Sequence, residues 1–351
     1  MNHVPLADEV VRPVLSYSGH TSGVSSGAWS PNGTRFASGS WDKTVQVWNT
    51  QTGACVCASI LHASVLQVAW SPDGTRLASV DADDRCSLWY VGNASVSSGP
   101  QFVGVCAVAW SPDGAFLALG TPKGGVHIKT AQTGVDVWAY KLPYVGTLQC
   151  RVPNQVNTLA WSPDGMRIAA GGLGGAIEIR DASTGELCLA TTICGRAERE
   201  VQAVSWSSCG KYIALASLDR WVRVLHAETG ERVATWCADP HCHVRTVDWS
   251  RDGRRVAAGD DEGRVVVWNA ATGQPEFAYT AHTKAVWSLA WSPDGHALVS
   301  GSSDGTVLVV ELPCTNQRFH IPVPQNQVLA HPSENRVCCS CNAIVRDWSP
   351  R

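Results

Sequence analysis

The sequence predicts an all-β protein made of a repeated unit of short antiparallel strands, on the strength of three observations. A tryptophan-centred motif recurs along the 351 residues. Each copy alternates apolar and polar residues as half-buried strands do, and glycine-containing turns separate the strand-like runs. The composition agrees, because Gly (32) and Trp (16) are numerous while Met (2) and Phe (5) are scarce. Such a bias indicates one tryptophan-containing unit copied several times.

The motif reads AWSPNG or AWSPDG in its regular copies and SWSSCG or DWSRDG in its weaker ones. Its tryptophans are spaced by 41, 40, 51, 45, 43 and 42 residues, and they are Trp29, Trp70, Trp110, Trp161, Trp206, Trp249 and Trp291. Each copy reads as four short strands joined by tight turns, which at this period is typical of a propeller blade. Helical repeats would need apolar faces with a 3.6-residue period, which the sequence does not show. We therefore predict a closed β-propeller of four-stranded antiparallel blades.

One copy carries a family resemblance. The segment SGSWDKTVQVW (Ser38–Trp48), with Gly19 and His20 upstream, resembles the signature of the WD-repeat family. The resemblance covers nearly the whole chain and implies a fold rather than an activity, because function lives in sites placed on a fold. It also implies binding to other proteins through the face that carries the blade-connecting loops.

The repeats set the expected domain organisation, a single propeller over residues 1–351. The approximate repeats are 19–58, 61–99, 101–138, 153–190, 198–236, 241–279, 282–323 and 326–348. The eighth has His331 in place of the motif tryptophan, while 11–18 resembles an outer strand with no blade before it. Pairing these two ends would close the ring and remove an exposed sheet edge. We predict eight blades, with 11–18 completing the last; seven blades and a C-terminal appendage are the alternative.

The resemblance also implies buried hydrogen-bonded sets of His, Ser or Thr, Asp and Trp. An imidazole and a carboxylate are costly to bury unless they are paired. The matching residues are His20, Ser38, Asp42 and Trp48 in blade 1, His62, Asp83 and Trp89 in blade 2, and His282 and Asp304 in blade 7. Blade 6 has His241 and Trp268 but Glu262 for the Asp, and blades 3 to 5 depart further, keeping only Asp219. Because the His–Asp pairs repeat at blade spacing, we interpret them as structural rather than catalytic.

Charge and cysteine usage argue against several function classes. The formal net charge is −3, from 27 basic and 30 acidic residues without long runs, which gives no case for nucleic acid or membrane. The N-terminal stretch lacks the apolar segment of a secretory signal, so we expect a cytoplasmic or nuclear protein. Several of the 14 cysteines lie in strand-like runs, which indicates reduced thiols. Nothing in the sequence indicates a homo-oligomer.

Metal and catalytic chemistry find little support in the residue patterns. His241-Cys242-His243 and the pairs Cys55/Cys57 and Cys339/Cys341 lack the doubled two-residue spacing of zinc sites. The inner strands, such as SVLQVAW, are apolar with isolated Gln or Asn, whereas a hydrolase would need clustered acids or a metal there. We predict no catalytic residue, metal or cofactor. A propeller enzyme, or a reader of modified peptides or nucleic acid at the central channel, is the alternative.

The partner site is expected where the blade-connecting segments and the turns before each third strand share one face. Residues just before the Asp position project there: Trp41, Ala82, Pro122, Leu173, Leu218, Asp261, Ser303 and Cys341. The insertion Tyr140–Gln155, within the interval of 51 residues, lies on the same face and contains Tyr140, Tyr144 and Arg151. We hypothesise one site for a protein partner over blades 1 to 5, centred on Trp41 and this insertion and including Pro122, Leu173 and Leu218. The alternatives are that Trp41 packs on a neighbouring turn and that the insertion is merely tolerated.

Overall fold

The computed structural model describes residues 14–92, 96–142, 145–147, 150–152, 154–193, 200–237, 239, 241–280 and 282–312. Over these ranges the chain forms seven four-stranded antiparallel sheets and one two-stranded hairpin. The all-β propeller of four-stranded blades is thereby confirmed. Nowhere in the described ranges is there a helix of the length and hydrophobicity that crossing a membrane requires.

The strands follow one another in blade order. The N-terminal strand and blades 1 to 3 comprise β1 (Leu15–Tyr17), β2 (Val24–Trp29), β3 (Arg35–Ser40), β4 (Thr44–Asn49), β5 (Cys55–Ile60), β6 (Val65–Trp70), β7 (Arg76–Asp81), β8 (Arg85–Val91), β9 (Val96–Val103), β10 (Ala107–Trp110), β11 (Phe116–Gly120), β12 (Gly125–Thr130) and β13 (Asp136–Lys141). The hairpin and blade 4 comprise β14 (Val145–Thr147), β15 (Cys150–Val152), β16 (Val156–Trp161), β17 (Arg167–Gly172), β18 (Ala176–Asp181) and β19 (Leu187–Thr192). Blades 5 to 7 comprise β20 (Val201–Trp206), β21 (Tyr212–Ser217), β22 (Val222–His226), β23 (Arg232–Trp236), β24 (Val244–Trp249), β25 (Arg255–Asp260), β26 (Arg264–Asn269), β27 (Pro275–Thr280), β28 (Val286–Trp291), β29 (Ala297–Ser302) and β30 (Val307–Glu311).

The Ser-Pro-Asp-Gly motif builds the turn between the first two strands of a blade. In blade 2, Ser71 Oγ accepts a hydrogen bond from Arg76 N at 2.9 Å, and Asp73 Oδ1 accepts one from Thr75 N at 2.9 Å. Gly74 has a φ of +68°, a left-handed conformation that favours glycine over residues with a Cβ. The motif is therefore explained by local turn chemistry.

Adjacent blades pack through small residues in the second strand. A Cβ added to Gly39 would lie 2.5 Å from Val65 Cγ1 of the next blade, so only glycine allows this approach. The same contact recurs between Gly301 of blade 7 and Val24 of blade 1, where that distance would be 2.7 Å. Blade 7 thus packs on blade 1 as blade 1 packs on blade 2.

The motif tryptophans join each blade to the one before it. Trp70 Nε1 donates a hydrogen bond to Ala28 O at 3.1 Å, and Trp29 Nε1 donates one to Ala290 O at 3.0 Å. Equivalent bonds from the indoles of other blades are made by Trp110, Trp161, Trp206 and Trp291. The bond from Trp29 to blade 7 closes the ring.

The inner strands β2, β6, β10, β16, β20, β24 and β28 each contact the inner strands of both neighbouring blades. As edge strands they would carry unpaired backbone N–H groups. Side chains of the neighbouring blade take several of these donors: Val108 N donates to Gln67 Oε1 at 2.8 Å, and Trp291 N donates to Asp248 Oδ2 at 2.9 Å. The isolated polar residues of the inner strands therefore help to close the ring.

The ring has seven blades, the alternative count, rather than the eight that the sequence favours. Strand β1 pairs with β30, with Leu15 opposite Val309 and Tyr17 opposite Val307, so it is the outer strand of blade 7. The physical reason is that β30 offers the free edge while blade 1 already packs directly on blade 7, which leaves no gap for another blade. The predicted eighth repeat, 326–348, lies outside the described residues.

Candidate functional site

The upper face of the ring is defined by the strand pairing. Val24 lies opposite Ser40, and Thr44 lies opposite Ile60. In an antiparallel sheet this places the start of the first strand, the second turn and the end of the outer strand at one end of the blade. We call this end the upper face; it carries the second turn of each blade and the blade-connecting segments.

Blade 1 brings together its four predicted set residues. His20 Nδ1 lies 2.9 Å from Asp42 Oδ2, His20 Nε2 lies 2.7 Å from Ser38 Oγ, and Trp48 Nε1 donates to Ser38 Oγ at 2.8 Å. Burial lowers the pKa of His20 below its usual value, although Asp42 opposes this shift. The neutral ring therefore donates from Nδ1 to Asp42 and accepts at Nε2 from the Ser38 hydroxyl. This set ties the blade-connecting segment to the second turn.

Blade 7 repeats the arrangement without a tryptophan. His282 Nδ1 lies 3.2 Å from Asp304 Oδ2, and Nε2 lies 2.8 Å from Ser300 Oγ. Val310 occupies the tryptophan position and is fully buried. Burial again lowers the pKa of His282.

Blade 2 does not form the predicted His62–Asp83 pair. Within the described residues His62 is exposed and has no hydrogen bond to Asp83. Asp81 Oδ1 instead accepts from Asp83 N and Arg85 N, both at 3.0 Å, so this side chain satisfies the second turn without a histidine. Trp89 Nε1 still donates to Ser79 Oγ at 2.8 Å. His241 of blade 6 is likewise exposed.

The sequence holds a signal that separates these cases. His20 and His282 stand nine residues before their motif tryptophans, whereas His62 and His241 stand eight residues before theirs. The buried position in blade 2 is filled by Leu61, which is 8% exposed. A shift of one residue thus moves the imidazole from the interior to the surface.

Blades 4 and 5 replace the histidine set by other buried pairs. Arg223 Nη1 donates to Asp219 Oδ1 at 2.9 Å, and both side chains are almost fully buried. In blade 4, Arg180 Nε donates to Glu178 Oε2 at 3.0 Å. These carboxylates are therefore used within the blade.

The predicted upper-face residues occupy equivalent positions. Trp41 N donates to Gly23 O at 2.9 Å, and the corresponding backbone bond tethers the second turn to the blade-connecting segment in other blades. The donors there are Ala82, Leu173, Leu218, Asp261 and Ser303. Pro122 has no N–H to donate, and it is half-buried, as are Trp41, Leu173 and Leu218. Cys341 lies outside the described residues.

The insertion between blades 3 and 4 differs in part from its prediction. Tyr140 lies in β13, the outer strand of blade 3, and not in a loop. The Arg180 guanidinium lies 4.0 Å from the centre of its ring, because Tyr140 pairs with Val126 and faces blade 4. Arg151 is in β15, which forms a hairpin with β14. Tyr144 lies outside the described residues.

A β-bulge near the start of the inner strand marks positions that sequence reasoning missed. In blade 7 the pairing skips from Val286 to Ser288, which leaves Trp287 outside the ladder. A bulge re-aims the side chain that it leaves unpaired. The bulged residues of the other blades that have this feature are Ser25, Leu66, Asn157, Gln202 and Arg245.

One of these bulged residues, Trp287, lies beside Trp41, and a second, Arg245, stacks on Trp287. The rings of Trp41 and Trp287 meet edge to face, with centroids 5.8 Å apart. The Arg245 guanidinium lies over the Trp287 ring, 4.8 Å from its centre, and Trp287 Nε1 donates to Ser303 Oγ at 2.6 Å. All three side chains are half-buried. We call Trp41, Arg245 and Trp287 the Trp–Arg cluster.

Single exposed apolar residues also occur in blades 1 and 2. Leu66 is 39% exposed, Ile60 is 80% exposed and Val103 is 81% exposed. Ile60 and Val103 end the outer strands of their blades at the upper face. These three side chains add apolar groups to the upper face without forming a shown contiguous patch.

The described part of the chain assembles no metal-binding group, and two of its buried thiols are held protonated. No group of three or more His, Cys, Asp or Glu side chains there could hold a metal ion. Burial raises the pKa of Cys86 and of Cys106 to about 12, so both thiols stay protonated at neutral pH.

Two family models match the chain. The model "WD domain, G-beta repeat" matches residues 11–49, 54–90 and 143–181. The model "IFT140 first beta-propeller" matches residues 194–339. No curated protein matches the chain. The described blades have the repeat geometry given above, and the chain belongs to the WD-repeat family of β-propellers.

Proposed function

We propose that this propeller is a non-catalytic scaffold that binds other proteins through its upper face, with the contact centred on Trp41 and Trp287. The observation that supports this most is the edge-to-face pair of half-buried indoles on the upper face, whose ring centroids are 5.8 Å apart. Tryptophan and arginine are enriched among the residues that dominate binding energy at protein interfaces. The Trp–Arg cluster contains both residue types.

The family matches support the same general function. WD-repeat and IFT140-type propeller domains are typically non-catalytic and take part in protein complexes, which favours a scaffold over an enzyme. The acid on the inner strand β24, Asp248, accepts hydrogen bonds from Ser205 Oγ, Trp249 N and Trp291 N at 2.9–3.0 Å. This carboxylate is thus occupied by ring closure, which also favours a non-catalytic role.

The outer part of the proposed site follows the upper face around the ring. Pro122, Leu173 and Leu218 stand at positions equivalent to Trp41 and are half-buried, so we assign them a supporting role in the contact. The hairpin that contains Arg151 joins β13 to β16 on the same face and extends the surface there. These residues are expected to exclude water around the centre rather than to supply most of the affinity.

Affinity capture from native lysate tests the proposal. Immobilised wild type is compared with Trp41→Ala and Trp287→Ala, and with Met166→Ala as the matched control, because Met166 is 66% exposed in a turn at the opposite end of its blade. We expect a defined set of proteins whose recovery falls at least about 10-fold in both tryptophan variants and is unchanged in the control. Equal recovery by all four proteins would place the site elsewhere. No specific recovery by wild type would contradict the scaffold function.

A further inference from the structure

Arg245 has hydrogen-bonding capacity that the fold leaves unused. In the described part of the chain its guanidinium forms no hydrogen bond, and its Nε is buried without a partner. Its nearest carboxylate oxygen, Asp261 Oδ2, lies 3.9 Å from Nη2, beyond hydrogen-bond distance. The other oxygen of that carboxylate accepts from His243 N at 2.9 Å. The two terminal amino groups of the guanidinium thus have an ion-pair partner in Asp261 but no hydrogen-bond acceptor in the described residues.

Other arginines stacked on aromatic rings behave differently. Arg76 lies over Trp110, 4.7 Å from its centre, and donates to Gly114 O at 3.2 Å. Arg167 lies over Trp206, 5.1 Å from its centre, and donates to Gly210 O at 2.7 Å. These two join neighbouring blades. Arg245 of blade 6 is similarly stacked on Trp287 of blade 7, but within the described residues it donates no hydrogen bond to that blade, so its N–H groups are not used to join the blades.

Stacking on Trp287 holds the guanidinium in place. The indole itself is fixed by its hydrogen bond to Ser303 Oγ and by the edge of Trp41. A guanidinium oriented in advance loses less side-chain entropy when it binds, and its two parallel N–H groups match a carboxylate. The nearby Asp261 carboxylate disfavours a doubly charged phosphate more than a singly charged carboxylate at this position.

We propose that Arg245 binds the carboxylate of an Asp or Glu side chain in a partner's extended segment, while an adjacent apolar side chain of that segment packs on Trp41. This inference rests on the proposed function and specifies its partner chemistry. The apolar side chain is placed by the half-buried Trp41 ring, which meets the Trp287 ring on the upper face. Charge complementarity then comes from an arginine without a hydrogen-bond partner in the described residues.

Selection from a phage-displayed library of random dodecapeptides on the immobilised full chain tests the inference. We expect wild type to enrich peptides with Asp or Glu next to a leucine or an aromatic residue. A selected peptide and its Glu→Gln or Asp→Asn analogue are then titrated by fluorescence anisotropy against wild type, Arg245→Gln and Arg245→Lys. Arg254→Gln is the matched control, because Arg254 is exposed in the first turn of the same blade, at the opposite end.

The expected loss for the acidic peptide on Arg245→Gln is about 10- to 100-fold, the range for hydrogen bonds to charged groups. The amide analogue should bind wild type and Arg245→Gln equally, Arg245→Lys should be intermediate because it keeps the charge without the fork, and Arg254→Gln should match wild type. Circular dichroism checks that each variant is folded.

Three outcomes would overturn the inference, and they separate it from the proposed function. Peptides without acidic residues that bind equally to wild type and Arg245→Gln, but not to Trp41→Ala, would contradict the binding of a carboxylate by Arg245. They would still support docking of a partner on the upper face. A phosphoserine analogue that binds more tightly than the carboxylate peptide would replace the ligand class. Selected peptides that ignore Arg245, Trp41 and Trp287 alike would contradict both proposals.

Discussion

The β-bulge at the start of the inner strand serves one purpose in blades 4 and 5 and another in blades 6, 7 and 2. In blades 4 and 5 the bulged residues are tied within the protein: Asn157 Nδ2 donates to Val201 O at 3.1 Å, and Gln202 Nε2 donates to Glu200 Oε2 at 3.0 Å. In blades 6, 7 and 2 the bulged residues Arg245, Trp287 and Leu66 are larger, and they present aromatic, cationic or apolar surface. The bulge places a side chain at the upper face. The type of side chain then determines whether it bonds within the protein or remains available to a partner.

The largest expected effect concerns the hydrogen-bonded set beneath Trp41. His20→Ala leaves Asp42 and Ser38 without their buried partner, so we expect the free energy of unfolding to fall by about 3 kcal/mol. The matched change His62→Ala should cost less than about 0.5 kcal/mol, because His62 is exposed. Chemical denaturation of both variants measures this. Equal losses would mean that blades 1 and 2 do not differ as described.

The second prediction concerns Asp248 of the inner strand β24, whose carboxylate accepts hydrogen bonds from blade 5 and from blade 7. Burial raises the pKa of this carboxyl to about 6, above its usual 3.8. The folded protein therefore holds the proton more tightly than the unfolded chain does, and stability is lost as the pH rises through about 6. Relative to Asp248→Asn, wild type should lose about 2 kcal/mol between pH 4 and pH 7. Denaturation of both proteins across this range measures the difference, and a flat difference would contradict a buried carboxylate.

The third prediction tests the role of Trp41 in the Trp–Arg cluster. A Cβ at Gly23 would lie 2.6 Å from Trp41 Cε3 and 3.0 Å from Ser303 Cα, so Gly23→Ala must displace the indole. We expect a stability loss of about 1 kcal/mol from overpacking and a several-fold loss of the captured proteins. Gly99→Ala in the outer strand β9 is the control for a substitution away from the cluster. Unchanged capture by Gly23→Ala would separate Trp41 from binding.

Much of the fold could be predicted because the sequence pattern that specifies each blade is local. Turn residues, alternation and the motif tryptophan specify each four-stranded sheet without reference to the others. The blade count could not be predicted in the same way, because 11–18 pairs with whichever edge is free in space, and that edge belongs to β30.

The candidate site was predicted only in part. Trp41 could be identified because its turn is recognisable in sequence, but Arg245 and Trp287 are exposed by bulges, which depend on pairing between strands. Both nevertheless follow the valine that opens the inner strand, so the position is regular once it is known. His62 failed as a set residue through a one-residue change of spacing.

The smallest expected effect concerns the insertion between blades 3 and 4. Replacing 143–153 by one glycine leaves a three-residue connection between Leu142 and Val156, the length that joins Leu61 to Val65. Because the hairpin belongs to blades 3 and 4, remote in the ring from the Trp–Arg cluster, we expect a stability change within about 0.5 kcal/mol. Capture should fall by less than about threefold, as for residues around a binding centre. A loss as large as that of Trp41→Ala would move the centre of the site to the insertion.

Hydroxyl-radical footprinting of the propeller, alone and in complex with its captured partner, tests the central claim most directly. The oxidation of Trp41, Trp287 and Leu66 should fall on binding, because the account places them at the contact. Met166 and Leu187, which are 66% and 50% exposed at the end of blade 4 away from the upper face, should be oxidised equally in both samples. Protection of Met166 and Leu187 with unchanged oxidation of the two tryptophans would contradict the account.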